Sequence, residues 1–412
     1  MREIIGVIVA FALIFWLSSR RMQLGLIMLI SSTVLGLFAG GFERPLGLLT
    51  TFYRALTARD TIELAVIVAL ITALARVMGD FGLLQAMSQA LARLLRSTKL
   101  SLALVPGVVG CLPVMGGAIV SAPMVDALGD RLDIDRERKS AINVIFRHAW
   151  FFVFPFSTSL VLLARLDAVD VFGLIRLQWP ISVAALVSGY LYFFGRLPRE
   201  STLGVGYRFW PGLRDFLVTG APLLTAIILG VGLPIPFYGL FRLPLWAALA
   251  VGIVVGMALG RRHPKFRWDL PLRGVNWPMV GTMAGVMVFL WAVKGVTIFP
   301  TMIEWLTGNG VPLSLLCVII PLVIGLASAA QATTIAMTVP VLLATVPTPD
   351  KPLYAMLIYA SSYVAYVASP LHLCQIFSVQ YFRADLTKVY RHYVIPLSAV
   401  LVTMAIIYFI AR

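Results

Sequence analysis

Arg147 and His148 stand side by side inside an apolar run, Ala141–Leu163, that is interrupted at Pro155. A guanidinium matches carboxylate or phosphate geometry bidentately. An imidazole changes charge close to neutral pH. A charge at bilayer depth costs about 3 kcal/mol or more, so it pairs, faces a cavity or serves function. Arg147 therefore has two readings. It is a ligand for an anion, or it is a cytoplasmic-side cation, a few residues past Lys139, that snorkels to the interface or pairs with Asp126. His148 either carries a proton through a working cycle or is a hydrogen-bonded intramembrane histidine.

Ser157 and Thr158 follow Pro155, and His372 follows Pro370 in a second interrupted run, Tyr354–Ser378. That run also holds Ser361, Ser362 and Ser369. Two further stretches collect helix breakers. One spans about 102–128, with Pro113, Gly116 and Gly117 near its tip and Ser121 just beyond; the other spans about 313–346, with Ser328, Gln331, Thr333 and Thr334 around its break. Non-helical backbone survives at membrane depth only where protein or a cavity satisfies it. Both stretches are therefore read as re-entrant hairpins. Half-helix N-termini attract anions, and unwound carbonyls with hydroxyls take a hard cation such as Na⁺. Arg147, His148, Pro113, Gly116, Gly117, Ser157, Thr158, Gln331, Thr333, Thr334 and His372 are assigned to substrate. Ser121, Ser328, Ser361, Ser362 and Ser369 are assigned to a coupling ion. Taken singly, each Ser or Thr is a helix-packing residue; clustered at matched breaks, they read as a site. No organic cofactor and no metal beyond Na⁺ is implied. The chain lacks a P-loop, Gly-x-Ser-x-Gly, His-Glu-x-x-His and paired intramembrane aspartates, so the expectation is not an enzyme.

The 412 residues that position these groups are 60% hydrophobic and 12% charged, against about 25% charged in a soluble domain. The formal net charge of +15 reads as loop topology rather than as a nucleic-acid surface. Cys111, Cys317 and Cys374 lie in apolar segments, with no disulfide framework and no recognised metal-ligand spacing. The apolar start, without a small-residue cleavage site, reads as a retained first span.

Hydropathy predicts an all-α polytopic membrane protein with about ten transmembrane helices and two re-entrant hairpins. The spans are 4–19, 24–40, 62–81, 141–163, 171–194, 218–239, 243–260, 277–296, 354–378 and 393–410, near the ~20 residues a bilayer core requires. Residues 41–61 read as a linker, 83–97 as an interfacial amphipathic helix, and 297–306 as a short amphipathic piece. Pro155 and Pro370, Pro123 and Pro340, and Arg76 and Lys294 recur at nearly one offset. The chain thus divides into a first repeat, residues 1–217, and a second, 218–412. Five crossings per unit is odd, so the second unit is inverted. Most of the 33 Lys and Arg fall in loops on one side. That side is cytoplasmic, which places both termini outside. The first hairpin then enters from the cytoplasm and the second from outside. Arg76 and Lys294 are read as snorkelling cations, with Asp80 neutralising Arg76.

The tip Leu112-Pro113-Val114-Met115-Gly116-Gly117-Ala118, followed by Ser121-Ala122-Pro123, resembles that of family 401 of the domains of unknown function. The architecture is similar to the ion transporter superfamily, which includes the dicarboxylate/sodium symporters and the gluconate and C4-dicarboxylate permeases. The symporters' Ser-Asn-Thr tip is replaced here by Pro-Val-Met-Gly-Gly and Ala-Gln-Ala-Thr-Thr. The resemblance implies a homodimer with a scaffold of spans 1–3 and 6–8. It also implies a transport domain of both hairpins with spans 4, 5, 9 and 10, moving elevator-fashion. The functional expectation is a secondary active transporter of a small organic anion, most readily a carboxylate, coupled to Na⁺ or H⁺. It would reside in a prokaryotic cytoplasmic membrane. The alternative is a lipid-handling protein, flippase or intramembrane enzyme, acting on a phosphate-bearing lipid. An anion channel is a third reading.

Overall fold

The computed structural model describes residues 2–20, 22–41, 45–95, 97–111, 117–166, 169–197, 209–231, 233–235, 239–241, 243–296 and 298–412. Pro113 and Gly116, placed in the substrate site from the sequence, lie outside the described residues.

The chain opens with α1 (Arg2–Ser19) and α2 (Leu24–Gly36), which runs on into a π-helical turn over Leu37–Gly41. Next come α3 (Pro45–Thr57), α4 (Arg59–Asp80) and α5 (Leu83–Leu94). The first hairpin is α6 (Thr98–Gly110) packed on α7 (Gly117–Asp130). An interrupted segment follows. It comprises α8 (Arg136–His148), a 3₁₀ turn over Ala149–Phe152, non-helical backbone at 153–157, and α9 (Thr158–Leu166). Then comes α10 (Val171–Phe194), and after it α11 (Phe209–Val231). A two-stranded antiparallel ribbon joins β1 (Leu233–Ile235) to β2 (Gly239–Phe241), with Leu233 opposite Phe241. The chain continues through α12 (Leu245–Leu259), the single turn α13 (Leu270–Arg273), α14 (Trp277–Lys294) and α15 (Ile298–Gly308). The second hairpin is α16 (Leu313–Ser328) packed on α17 (Gln331–Leu342). A second interrupted segment, α18 (Lys351–Ala368) and α19 (Leu373–Phe382), leads to α20 (Leu386–Ala411).

The molecule is all-α apart from the small ribbon. Six described helices are long and apolar enough to cross a bilayer: α4, α10, α11, α12, α14 and α20. A seventh is counted if α15 and α16, bent by 119° at their junction, form one span. The difference from ten expected spans has a physical cause. α8 and α9 have 13 and 9 residues, so at 1.5 Å per residue each covers roughly half to two-thirds of a ~30 Å core. α19 has 10 residues and α2 has 13 before its π turn. Breaks that hydropathy averages over cut these runs into pieces. Residues 41–61, expected as a linker, contain the 13-residue helix α3. α11 stops at Val231 rather than Gly239, because Pro234 just beyond cannot supply the helical N–H.

Packing gathers the helices into two groups, which meet where α5 packs on α6 and α14 on α17. α2 packs on α1 and α14, α4 on α12 and α14, and α11 on α12 and α5. α5, expected at the interface, thus buries Leu84, Met87 and Leu91. The other group joins α6 to α7 and α8, α10 to α20, α16 to α17 and α18, and α19 to α7 and α8. In the first group α2 and α14 approach at backbone distance. A Cβ on Gly25 would lie 2.6 Å from the Gly281 carbonyl oxygen, and one on Gly285 2.5 Å from that of Gly25. Small residues four apart allow such contact in a membrane, where packing rather than solvent exclusion drives helix association.

Candidate functional site

Some helices of this chain begin with a side-chain cap and others do not. Asp135, Asp170 and Asn276 cap α8, α10 and α14, accepting from the N–H of Arg138 (2.8 Å), Gly173 (2.8 Å) and Met279 (3.1 Å). α17 and α19 begin at Ala330 and His372 with no side-chain cap. The first N–H groups of a helix have no partner within it and carry a partial positive charge. These two N-termini meet the N-terminus of α9 and the C-terminal ends of α6 and α8 around one cavity of about 330 Å³. That volume is at the small end of the range for ligand pockets. Arg147 and His148 line it from α8, Ser157 and Thr158 from the first break, and Gln331 from the second hairpin. Phe151, Phe154, Phe156 and Tyr366 form its apolar wall.

The backbone freed at the first break is held by side chains of neighbouring helices. Ser182 and Gln178 of α10 donate to the carbonyls of Ala149 (2.6 Å) and Phe152 (3.0 Å). Tyr359 of α18 donates to that of Phe151 (2.8 Å). Arg147 is thereby fixed on a short, braced helix end. Its Nη1 is buried without a hydrogen-bond partner, and among the described residues no carboxylate pairs with it. Asp126, the partner weighed for it from the sequence, instead holds Lys139 at 2.8 Å, with Asp130 on the same ammonium. The Gln331 side-chain amide, 3% exposed, also makes no well-aligned hydrogen bond. A buried polar group left unpaired costs about 1–3 kcal/mol. Two such groups facing one cavity describe a site shaped for a polar ligand rather than for packing.

A second cluster shares part of this lining. One ring nitrogen of His148, one of His372 and the sulfur of Cys374 lie within 4.8 Å of one another. The two imidazole rings are 4.8 Å apart, edge to face. His148 Nδ1 is 2.7 Å from the carbonyl of Val144, and neither nitrogen of His372 makes a well-aligned hydrogen bond. Such a cluster has the composition of a metal-ligand set.

Among the described residues, His372, Thr333, Thr334 and the serines assigned to an ion do not line the cavity. Gly117 is the first residue of α7. Thr333 and Thr334 are buried within α17, Thr334 bonding the Ala330 carbonyl at 3.1 Å. Ser328 lies 3.3 Å from the Thr334 hydroxyl. Ser369 bonds the Leu326 carbonyl at 2.8 Å and so ties the second break to α16. Ser362 bonds the Tyr359 carbonyl within its own helix, and Ser361 faces the Met404 sulfur at 3.8 Å. Ser121 donates to Asn143 Oδ1 at 2.6 Å. Asp80 does pair with Arg76, at 2.7 Å. Sequence reasoning passed over Gln178, Ser182, Tyr359 and Asn143. The signal was polar side chains inside otherwise apolar runs, two of them, Gln178 and Ser182, four residues apart on one face.

A larger, more open cavity of about 510 Å³ lies near Asp60, Glu63, Arg165 and Asp170. Its guanidinium is already spoken for, with Arg165 Nη2 2.6 Å from Glu63.

A family model described as "Protein of unknown function (DUF401)" matches residues 4–411. No curated protein matches the chain.

Proposed function

The chain belongs to the DUF401 family, and we propose that it is a secondary active transporter of a small organic anion, with Arg147 as the anion's principal ligand. The observation that carries this reading is the buried, unpartnered Nη1 of Arg147 in a cavity faced by three helix N-termini. Guanidinium and helix N-termini both favour an anion, and a carboxylate matches the guanidinium fork. The cavity's modest volume and apolar wall suit an organic acid. Convergence of two hairpins and two broken segments on one site is the arrangement expected of a transporter whose halves are inverted repeats. On this reading the short pieces complete ten crossings, both termini lie outside and the chain resembles the ion transporter superfamily. The two packing groups of helices support a scaffold and a moving domain working elevator-fashion within a homodimer. Na⁺ or H⁺ drives the cycle, in the first case at hydroxyls such as Ser328 and Ser369.

The test is thermal stability of the purified protein against a panel of anions, with and without Na⁺ and at two pH values. A ligand at a hundred times its Kd stabilises the native state by about 2.7 kcal/mol. Stabilisation by one class of carboxylate, lost in Arg147→Ala, supports the reading, and dependence on Na⁺ or pH identifies the coupling ion. The competing lipid-handling reading uses the same guanidinium for a headgroup phosphate. Stabilisation by a phospholipid or polyprenyl phosphate and by no free anion would replace the transporter reading with that one.

A further inference from the structure

We propose that His148, His372 and Cys374 form a binding site for a thiophilic d¹⁰ metal ion, Cu⁺ or Zn²⁺, beside the anion cavity. This inference is independent of the anion reading. Three observations carry it. The donor atoms lie within 4.8 Å of one another, close enough for modest side-chain rotation to bring them onto one ion with bonds of about 2.0–2.3 Å. His148 Nδ1 sits 2.7 Å from the Val144 carbonyl, so this nitrogen carries the proton and Nε2 keeps its lone pair. A ligating histidine is usually oriented by such a backbone carbonyl. His372 is fully buried and neither of its nitrogens makes a well-aligned hydrogen bond, an arrangement that a bond to metal would improve.

The backbone holds the set in place. His148 ends α8, His372 stands at the N-cap of α19 and Cys374 is on its first turn, and α8 packs on α19. Tyr366 closes over the pair, its ring 4.0 Å from that of His372 and 5.5 Å from that of His148. His148 and Cys374 also line the cavity, which gives an ion its way in. Two imidazoles and a thiolate suit Cu⁺ or Zn²⁺ rather than Mg²⁺ or Ca²⁺, which require oxygen ligands. Arg147, next in the chain to His148, opposes a further cation. The thiolate offsets one positive charge, leaving a Cu⁺ site neutral. A Zn²⁺ site keeps one positive charge and an open fourth position that an anion in the cavity would fill.

The experiment uses the full chain purified in detergent, stripped with a chelator, and titrated with Zn²⁺ and, under reducing conditions, with Cu⁺ delivered by a weak chelator. Bound metal is counted by elemental analysis after desalting, and a thermal melt confirms that each variant is folded. The expected result is one ion of at least one of the two metals per chain, with affinity reduced tenfold or more in His372→Gln and in Cys374→Ser, and retained in Arg147→Ala. Retention in Arg147→Ala separates this site from the anion reading, since that variant loses the anion response alone. The proposal is overturned if the folded chain retains neither metal, or if His372→Gln and Cys374→Ser retain metal as well as the unsubstituted chain does.

Discussion

Gly110 of α6 lies against Arg147 of α8 so closely that a methyl group on it would overlap the Arg147 carbonyl oxygen and stand 2.9 Å from its Cγ. One turn away, a Cβ on Gly107 would run into the indole nitrogen of Trp150. The C-terminal end of the first hairpin helix therefore sets the position of the cavity's guanidinium. Gly110→Ala is expected to push α6 and α8 apart, at a cost of about 1–3 kcal/mol for overpacking. It should weaken stabilisation by the anion beyond the loss in intrinsic stability. Thermal melts with and without anion, compared with the milder Gly79→Ala, whose Cβ would meet nothing, provide the check. An unchanged anion response would mean that the hairpin does not position Arg147.

Arg147 carries a second, less ordinary expectation. A buried charge without a partner is a liability to the fold, because nothing offsets the loss of its hydration. Arg147→Met keeps the length of the side chain. It should melt at or above the wild-type temperature while losing all response to anions. A protein that instead melts well below wild type would show that the guanidinium is a structural element with a partner of its own, and the binding role would fall.

The site was readable in the sequence to the extent that it is built from breaks. Pro155, Pro370 and the Ser328–Thr334 stretch announced where helices stop, because a proline lacks the N–H a helix requires and a polar cluster interrupts an apolar run. Arg147, His148, Ser157, Thr158 and Gln331 were found beside those breaks and do meet at one cavity. The bracing was not readable. Gln178, Ser182 and Tyr359 lie on helices whose hydropathy marks them only as spans, and which carbonyls they serve depends on packing across tens to hundreds of residues. His372 was found as a helix-start residue. Its neighbour Cys374 was dismissed for want of a ligand motif, because the third donor, His148, is 226 positions away in the chain and arrives only by folding. Hydropathy marks ten spans where six described helices are individually long and apolar enough to cross. A window wide enough to see a span runs over a broken helix.

Asn143 ties the first hairpin to the second interrupted segment. Its Nδ2 donates to the Ala118 carbonyl (2.9 Å) and to Ser378 Oγ (2.8 Å), while its Oδ1 accepts from Ser121 (2.6 Å). All three side chains are fully buried. Asn143→Ala withdraws both donors from buried acceptors and should cost about 2–4 kcal/mol. The double variant Asn143→Ala with Ser378→Ala should recover part of that loss, since it removes an orphan along with its lost partner. Denaturation midpoints of the two single variants, Asn143→Ala and Ser378→Ala, and of the double variant measure the coupling. Strict additivity would mean that the three groups do not act as one network.

The orientation of the chain can be tested without knowing the ligand. If the second repeat is inverted and the arginine-rich loops face the cytoplasm, Arg261 lies inside and Asp350 outside. Both are exposed, at the ends of different helices, so a cysteine at either place disturbs little. In a background lacking Cys111, Cys317 and Cys374, Asp350→Cys should react with a membrane-impermeant maleimide in intact cells. Arg261→Cys should react only after the membrane is opened. Equal labelling of both from outside would place them on one face of the bilayer. With α14 a clear crossing between them, that requires the α15 to α17 region to return the chain an odd number of further times. The hairpin reading of α16 and α17 would then fail, and with it the inverted repeat on which alternating access rests.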